Sequence, residues 1–293
     1  MENEKKVSII LVNYNGYEDT VECVKSILTC DYTNYDIYIV ENGSRDKEKI
    51  KEDIFLNEHC IVIYSEKNGG FSEGNNIGIE ASLKSNPDYV LLLNNDTVVT
   101  PTFLNELVCV AEENKQCTIV TSTINYYYDK EKHWYSYGTY NKLLGYTSMP
   151  SSDTKHTKPF SVSFATGCLM LIRTEFIRKY GMLSEDYFLY SEDTEYCLRV
   201  LEKGYTILSV PKVLIYHKVN ASTGTGSLMQ QYYLTRNYLI VAKQYGTCFP
   251  LAYLFRFALS MYEVVRYHYD FKTVLLAFKD YRKGIKGKAS YFN

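Results

Sequence analysis

The 293-residue sequence has no long hydrophobic run and no strong excess of charge of either sign. Its most apolar segment, residues 249–265, is interrupted by Arg256 and Glu263, so no run of about eighteen apolar residues predicts a membrane span. The formal net charge of -2 argues against a strongly basic surface that binds nucleic acid. Only a short apolar run, 7–12, follows the charged N-terminus, and it predicts a strand rather than a secretion signal. We therefore expect a cytoplasmic protein.

Paired cysteines are also missing, because none of the eight lies in a Cys-x-x-Cys pair. Most of them fall in apolar runs, so we expect buried free thiols in a reducing compartment rather than disulfides or a zinc site. Hydrophobic residues make up 46% of the chain and charged residues 23%, which is enough to form a buried core. The length favours one elaborated α/β domain or one domain with a small appendage.

Strand-like and helical patterns alternate through the first half of the chain. Continuous apolar runs predict strands at 7–12, 36–40, 61–64 and 89–93, and later at 164–172, 206–210 and 213–216. Helical spacing lies between the early strands, over 18–28 and 47–56, and after them over 102–113. Repeated βα units predict a mainly parallel sheet flanked by helices. Residues 125–159 predict hairpins and a loop, and the pattern is helical from 229 onward.

Short polar groups follow the predicted strands, at the positions where an open parallel sheet binds ligands. The carboxylate of Glu41 could accept a hydrogen bond from a pyrimidine N–H, and the glycine-rich turn at 68–78 lets backbone approach a ligand closely. Asp96 could hold a hard cation that bridges phosphate oxygens. The candidates for binding a nucleotide are Asn13, Tyr14, Glu41, Asn42, Ser44, Asn68, Gly69, Gly70, Asn75, Asn94 and Asn95.

Six motifs resemble, in order and spacing, those of the family 2 glycosyltransferases, and most of all their rhamnosyltransferase-like branch. They are Val-Asn-Tyr-Asn at 12–15, Val-Glu-Asn-Gly-Ser-Arg-Asp at 40–46, Asn-Gly-Gly-Phe-Ser-Glu-Gly-Asn-Asn-Ile-Gly at 68–78, Leu-Asn-Asn-Asp-Thr at 93–97, Ala-Thr-Gly-Cys-Leu-Met-Leu-Ile-Arg at 165–173 and Tyr-Ser-Glu-Asp-Thr-Glu-Tyr-Cys-Leu-Arg at 190–199. The resemblance covers roughly residues 5–240. It implies the GT-A fold, a Rossmann-like α/β architecture with a mainly parallel sheet.

The resemblance also implies an organisation of the chain into parts. The glycosyltransferase domain spans 1–240, with a nucleotide-binding part at 1–122 and an acceptor and catalytic part at 123–240. A helical extension that is amphipathic and basic follows at 241–293.

Carried over by these motifs, Asp193 is the catalytic base with Glu192 beside it, and Asp96 is a ligand of Mg²⁺ or Mn²⁺. The family places a histidine near the metal or the diphosphate, and here it is His217. Arg236 could meet phosphate charge from the helix that follows. Two positions depart from the family pattern: Asn94 replaces the first aspartate of the metal motif, and Glu41 replaces a more usual aspartate.

Several of these residues also have a purely structural interpretation. Asp193 could be an acid in the first turn of a helix, and Asp96 could stabilise a turn through its side chain. Glu41 could be a solvated turn acid, and His217 a buried structural histidine.

The resemblance implies inverting, non-processive transfer of a sugar from a nucleotide-diphosphate donor to a hydroxyl of a glycan or lipid-linked acceptor, in surface-polysaccharide synthesis. dTDP-rhamnose is favoured slightly over a UDP-sugar. One alternative is a catalytically idle subunit that binds nucleotide sugars as a scaffold. The other is a nucleotidyltransferase, which should carry a glycine-rich and basic loop after the first strand, whereas here no Lys or Arg lies between that strand and Lys25.

The C-terminal extension has two interpretations that remain open. An apolar, aromatic segment at 249–265 is followed by a region rich in Lys and Arg, a pattern typical of contact with an anionic membrane surface. Lipid-linked acceptors of the family favour this interpretation, with the protein peripheral on the inner face of the membrane. Alternatively, the helices pack on the domain or on a second copy of the chain, as in a homodimer.

Overall fold

A computed structural model of the protein describes residues 4–51, 53–150, 156–219 and 226–292. The first part of the chain alternates strands and helices as the sequence predicts. Its elements are β1 (Val7–Asn13), α1 (Tyr17–Ile27), β2 (Tyr35–Asn42), β3 (Cys60–Ser65), α2 (Gly70–Ser82), β4 (Tyr89–Leu93), β5 (Thr97–Val99) and α3 (Phe103–Glu113).

The second part contains several three-residue strands, the two longest strands and the two longest helices of the described chain. Its strands are β6 (Cys117–Tyr126), β7 (His133–Tyr135), β8 (Thr139–Asn141), β9 (Tyr146–Ser148), β10 (Phe160–Val162), β11 (Leu169–Arg173) and β12 (Thr206–His217). Its helices are α4 (Thr174–Tyr180), α5 (Glu192–Glu202), α6 (Leu228–Tyr245), α7 (Phe249–Tyr267) and α8 (Phe271–Arg282).

The central sheet is mostly parallel, with the order β10-β12-β6-β11-β4-β1-β2-β3. β1 pairs in parallel with both β2 and β4, and β2 pairs in parallel with β3. β11 lies antiparallel between β4 and β6. The predicted α/β architecture is confirmed, and the carboxyl ends of β1, β2 and β4 meet at one edge.

The core forms where apolar strands are covered by helices on both faces. Ile9, Ile10 and Leu11 of β1 are fully buried, as expected for a continuous apolar run in a covered sheet. α2 lies close to this strand at Gly78, where a Cβ atom would come within 2.5 Å of the Ile10 side chain. Glycine at this position therefore lets α2, which starts in the glycine-rich turn, lie directly against the sheet.

Two predictions of local structure are wrong in detail. Residues 47–56 do not form one helix, but two short 3-10 turns at Lys47–Lys51 and Asp53–Leu56. The two late strands are one strand, β12, whose register with β6 shifts between Val210 and Val213. Pro211 lies at this shift, where its missing N–H makes an irregularity in the ladder favourable.

The C-terminal helices form a layer of their own. α6 continues through the predicted domain boundary at 240, and aromatic side chains join α7 to α8, such as Tyr253 to Phe278 at 5.4 Å between ring centroids. Within the part of the chain that the structure describes, no helix combines the length and apolar character needed to cross a membrane.

Candidate active site

The ends of β1 and β2 are joined by a buried polar cluster. Asn13 is in register with Glu41, and its side-chain nitrogen donates to Oε2 of Glu41 and, at 3.3 Å, to Oγ of Ser44. The backbone N–H of Ser44 donates to Oε1 of Glu41 at 2.6 Å. The Glu41 side chain is fully buried, so it is not a solvated turn acid. Both of its carboxylate oxygens accept hydrogen bonds from the protein.

A cavity of about 380 Å³ opens beside this cluster. Its wall combines the ring of Tyr17 and the aliphatic side chain of Ile50 with polar and charged groups. The lining residues are Asn13, Asn15, Tyr17, Glu18, Glu41, Ser44, Arg45, Asp46, Lys49 and Ile50. Tyr14 directly follows β1 and is partly buried. The cavity therefore lies at the carboxyl ends of the strands, where the sequence predicts a nucleotide.

The glycine-rich turn is fixed by the side chain of Asn42. Its Nδ2 donates to the carbonyl of Gly70 at 3.0 Å, and its Oδ1 accepts from the N–H of Gly69 at 3.2 Å. The side chain of Asn68 closes the turn by accepting from the N–H of Gly70 at 2.8 Å. Within α2, Asn75 donates to the carbonyl of Phe71 at 2.8 Å. These amides hold the shape of the turn and engage the N–H groups of Gly69 and Gly70 and the carbonyl of Gly70.

The same turn lies against the segment that precedes α5. Gly70 has a φ of +81°, and a Cβ atom there would come within 2.0 Å of the carbonyl oxygen of Phe188. That oxygen accepts a hydrogen bond from the N–H of Phe71 at 2.9 Å. Only glycine allows this conformation and this approach together, which explains the residue type at position 70.

Asp96 and His217 form a buried pair at the ends of β4 and β12. Nε2 of His217 lies 3.1 Å from Oδ1 of Asp96, and Nδ2 of Asn94 lies 3.5 Å from the same nitrogen. The N–H of Lys218 donates to the backbone carbonyl of Asp96 at 3.0 Å, which fixes the end of β12 against this loop. Neighbouring Asn95 is turned away and donates to Oγ1 of Thr20 at 2.8 Å.

Asp96 and His217 could supply part of the ligand set of a divalent cation. Nδ1 of His217 is buried and has no hydrogen-bond partner among the described residues. Across those residues, no three or more His, Cys, Asp and Glu side chains converge as a complete set of ligands. A cation here would be held by Asp96 and His217, and the oxygens of a phosphate ligand and water would supply its other positions. The carboxylate, phosphate and water oxygens of such a set suit Mg²⁺ and Mn²⁺ alike, whereas imidazole is a ligand of softer divalent ions.

Asp193 lies in the first turn of α5, but its side chain reaches beyond the helix. Its Oδ2 accepts from the backbone N–H of Gly167 at 3.1 Å, and its Oδ1 accepts from the N–H of Thr194 at 2.7 Å. Burial raises the pKa of the Asp193 carboxyl above its ordinary value, although the two N–H groups act in the opposite direction. A carboxylate that binds a proton more readily is a stronger base.

Glu192 is almost completely buried next to Asp193. Its Oε2 has no hydrogen-bond partner within the described residues. Burial, and then the charge of Asp193, raise the pKa of the Glu192 carboxyl well above its ordinary value. Glu195 is engaged elsewhere, because it forms an ion pair with Arg199 at 2.6 Å.

One loop connects the base to the metal candidates. Gly167, which donates to Asp193, is followed by Cys168, whose carbonyl accepts from the N–H of Asn94 at 3.0 Å. The predicted base and the end of β4 are therefore held by two consecutive residues. The sequence motif at 165–173 contains this glycine, but nothing in the sequence alone shows what its N–H would bind.

The structure does not bring Arg236 to this edge, and the hypothesis that it meets phosphate is corrected. Its side chain is fully buried in α6, where Nη2 donates to the carbonyl of Gly287 at 2.8 Å. The guanidinium also lies over the rings of Tyr232 and Tyr233, with 5.2 and 4.9 Å to their centroids. Its contacts join α6 to the segment at Gly287.

Two contacts near the metal candidates were not predicted. Trp134 packs edge-on against His217, with 4.3 Å between ring centroids. Nζ of Lys218 forms ion pairs with Asp19 at 2.5 Å and with Glu22 at 2.6 Å, which ties the end of β12 to α1. Their signals in the sequence are slight: Trp134 is the only tryptophan, and Lys218 directly follows His217.

Two rhamnosyltransferases are similar in sequence to this chain over most of their length. The dTDP-rhamnosyl transferase RfbF of Shigella flexneri is 22% identical over 243 residues, which is 80% of this chain and 79% of RfbF. The rhamnosyltransferase WbbL of Escherichia coli K12 is 25% identical over 231 residues, which is 72% of this chain and 83% of WbbL.

The structures agree at the level of the fold. The crystal structure of GalNAc-T7 with UDP, GalNAc and Mn²⁺ superposes with a TM-score of 0.62 at 16% identity, over 92% of this chain and 59% of that protein. The GT-A fold expected from the sequence is confirmed. The model of the family described as "Glycosyl transferase family 2" matches residues 8–181, more than half of the sequence. The chain belongs to glycosyl transferase family 2 and is a rhamnosyltransferase-like member of it.

Proposed function

We propose that this glycosyltransferase moves a sugar, with inversion and one residue at a time, from a nucleotide-diphosphate donor to a hydroxyl of a glycan or lipid-linked acceptor in surface-polysaccharide synthesis. One observation carries the proposal. The loop at 165–168 holds a carboxyl with a raised pKa, that of Asp193, next to the strand end that leads to Asp96 and His217. A base beside a site for a cation and a diphosphate is what a single displacement requires.

In the proposed reaction, the acceptor oxygen forms a bond to the anomeric carbon of the donor sugar. The bond from that carbon to the diphosphate oxygen breaks on the opposite face, and the diphosphate leaves with the electron pair. Asp193 takes the proton of the attacking hydroxyl. A divalent cation at Asp96 and His217 would neutralise charge on the leaving diphosphate. A single base is sufficient, because no glycosyl-enzyme forms.

The nucleotide is proposed to lie between the 380 Å³ cavity and the glycine-rich turn. Tyr17 and Ile50 would provide an apolar surface for a base, and Glu41 and Ser44 would provide polar groups. Because Glu41 is held by Asn13 and by the Ser44 N–H, its oxygens keep a fixed direction for a pyrimidine N–H. The names of the relatives RfbF and WbbL favour dTDP-rhamnose over UDP-sugars.

A panel of nucleotide sugars tests this function. We expect dTDP-rhamnose with Mn²⁺ or Mg²⁺ to raise the melting temperature, because a ligand present at 100 times its Kd stabilises by about 2.7 kcal/mol. The stabilising donor is then offered to lipid-linked saccharides, and the anomeric configuration of the product is read by NMR. No stabilisation by any donor would overturn the proposal. Binding without transfer to any acceptor would favour the idle scaffold subunit.

We also propose that α7 contacts an anionic membrane surface, which would place the enzyme on the inner face of the membrane near a lipid-linked acceptor. The outer face of α7 is apolar, with Leu254 64% and Val265 78% exposed. All exposed charged residues of α7 and α8 are Lys or Arg, and their positive charge complements anionic lipid. They are Arg266, Lys272, Lys279 and Arg282. Covering of this face by a second copy is the competing outcome.

A further inference from the structure

The segment after α8 returns to the catalytic part of the protein. We name residues 284–292 the C-terminal strap. The N–H of Gly287 donates to the carbonyl of Asp186 at 2.7 Å, and the N–H of Ala289 donates to the hydroxyl of Tyr233 at 2.8 Å. Ala289 is buried. The strap is therefore fixed by backbone hydrogen bonds and is not a solvated basic tail.

The strap meets the glycine-rich turn through one side chain, Lys288. Its Nζ donates to the carbonyl oxygen of Asn68 at 3.2 Å and lies 5.3 Å from the centroid of the Phe188 ring. Phe188 is the residue whose carbonyl accepts from Phe71 and fits against Gly70. One lysine thus contacts both sides of the interface between the turn and the segment that leads to α5.

The charge of Lys288 is not neutralised by a neighbour. No carboxylate among the described residues forms an ion pair with it, whereas Lys67 pairs with Glu73 at 3.4 Å and Lys286 pairs with Asp186 at 2.5 Å. An ammonium group that contacts only a carbonyl and an aromatic ring leaves its positive charge available to an anion. The donor's diphosphate is such an anion.

We propose that Lys288 is a positioning residue for the donor and that the C-terminal strap completes the donor site. Lys288 holds the glycine-rich turn against Phe188, and its charge favours a diphosphate beside the turn. This inference rests on the proposed function, because it assumes a nucleotide-diphosphate donor. It assigns a role in donor binding to a residue more than one hundred positions beyond the segment, 8–181, that matches the family.

Three variants of the full-length chain test the role of Lys288: Lys288→Ala, Lys288→Arg and, as the matched control, Lys286→Gln. Calorimetry measures the Kd of dTDP and of UDP with Mn²⁺, and transfer assays give kcat and the donor KM. We expect Lys288→Ala to raise Kd and KM about tenfold while kcat changes less than about twofold, because a lost charge-assisted contact made before and during transfer weakens binding uniformly. Lys288→Arg should stay close to the native chain, and Lys286→Gln should match it.

A readout without nucleotide separates the strap from the proposed function. The amide of Phe71, bonded to Phe188, should exchange with deuterium faster in Lys288→Ala than in the native chain. If exchange at Phe71 is unchanged, or if Lys286→Gln weakens nucleotide binding as much as Lys288→Ala, the strap proposal is overturned. A lower melting temperature with native Kd would also overturn it, since Lys288 would then only stabilise the fold. A native chain that binds neither nucleotide instead overturns the proposed function.

Discussion

Asp193 accepts a hydrogen bond from the backbone N–H of Gly167 at 3.1 Å, although 26 residues separate them. The N–H of Thr194 donates to the other oxygen of the carboxylate at 2.7 Å. Together, the two hydrogen bonds fix the direction of the carboxylate. The next residue, Cys168, is bonded to Asn94, so the position of Asp193 depends on the same loop as the end of β4. In the proposed reaction, a carboxylate oriented in this way would take the proton without first rearranging.

Replacement of Asp193 by asparagine tests this assignment. Asparagine keeps the size of the side chain and an oxygen for the Gly167 N–H, but it cannot accept a proton from the acceptor. We expect kcat to fall by about 10²–10⁴-fold while the donor Kd stays within about twofold of native. Transfer at the native rate would show that another group is the base.

Removal of the Asp96 carboxylate tests the cation site. In Asp96→Ala, His217 remains as the only ionisable side chain of the pair, so the affinity for Mn²⁺ should fall at least about tenfold. Isothermal titration in the presence of dTDP measures it, with exposed Asp31→Asn as the control. Chelator should abolish transfer by the native chain, and Mn²⁺ or Mg²⁺ should restore it. Full activity in excess chelator would contradict the role of Asp96.

The sequence predicts the sheet and its polar edge well, because apolar runs and the residues after them are local features. Asn13 and Glu41 are both predicted to follow strands at this edge, and the register of β1 with β2 then places them side by side. The motif order, rather than the spacing of any single residue, predicts Asp193 as the base.

The sequence could not predict contacts that depend on how distant segments pack. Arg236 is predicted to contact phosphate. In the structure, however, the chain returns past α6 at Gly287, and the buried guanidinium of Arg236 donates to the carbonyl of Gly287. Lys286 and Lys288 belong to a basic tail by composition, yet one pairs with Asp186 and the other contacts Asn68. Neither partner is near in sequence, so no local pattern indicates either contact.

The buried carboxyl of Glu192 gives a prediction about stability and pH. Because its pKa is raised in the folded chain, folding favours the protonated form, and stability falls as the pH rises above the ordinary glutamate value of 4.5. Glu192→Gln has no proton to lose. Its melting temperature should therefore exceed the native one at pH 7–8, and this difference should shrink towards pH 4. Exposed Glu202→Gln should show no such trend, and a difference independent of pH would contradict the raised pKa.

The contact of Gly70 with Phe188 predicts an unusually large effect of a single methyl group. Alanine at position 70 would be strained for two reasons. Its φ would be +81°, and its Cβ atom would lie 2.0 Å from the carbonyl oxygen of Phe188. Gly204 has nearly the same φ, +80°, with nothing within 4 Å, so Gly204→Ala isolates the backbone effect. We expect Gly204→Ala to lower the free energy of unfolding by about 1 kcal/mol and Gly70→Ala by about 2–5 kcal/mol. Equal losses in urea denaturation would show that the turn does not press against Phe188.

Binding to lipid vesicles tests the proposed membrane surface of α7. The native chain should sediment with vesicles that contain phosphatidylglycerol, and less so as salt is raised, because exposed cations of α8 contribute about 1 kcal/mol each near an anionic surface. The double variant Lys279→Gln, Arg282→Gln should therefore bind roughly 30-fold more weakly. Leu254→Ser with Val265→Ser should weaken binding at every salt concentration, since it removes the apolar part of the contact.

Two features distinguish this outcome from pairing of the apolar face with a second copy. A dimer would form without lipid, and its fraction would depend on protein concentration in analytical ultracentrifugation. If α7 instead contacts a membrane, the chain should be monomeric without vesicles and should not bind vesicles of neutral phosphatidylcholine. Because the charge of Lys286 is paired with Asp186, this lysine should contribute little to vesicle binding. Lys286→Gln should consequently bind vesicles like the native chain, unlike the α8 variant.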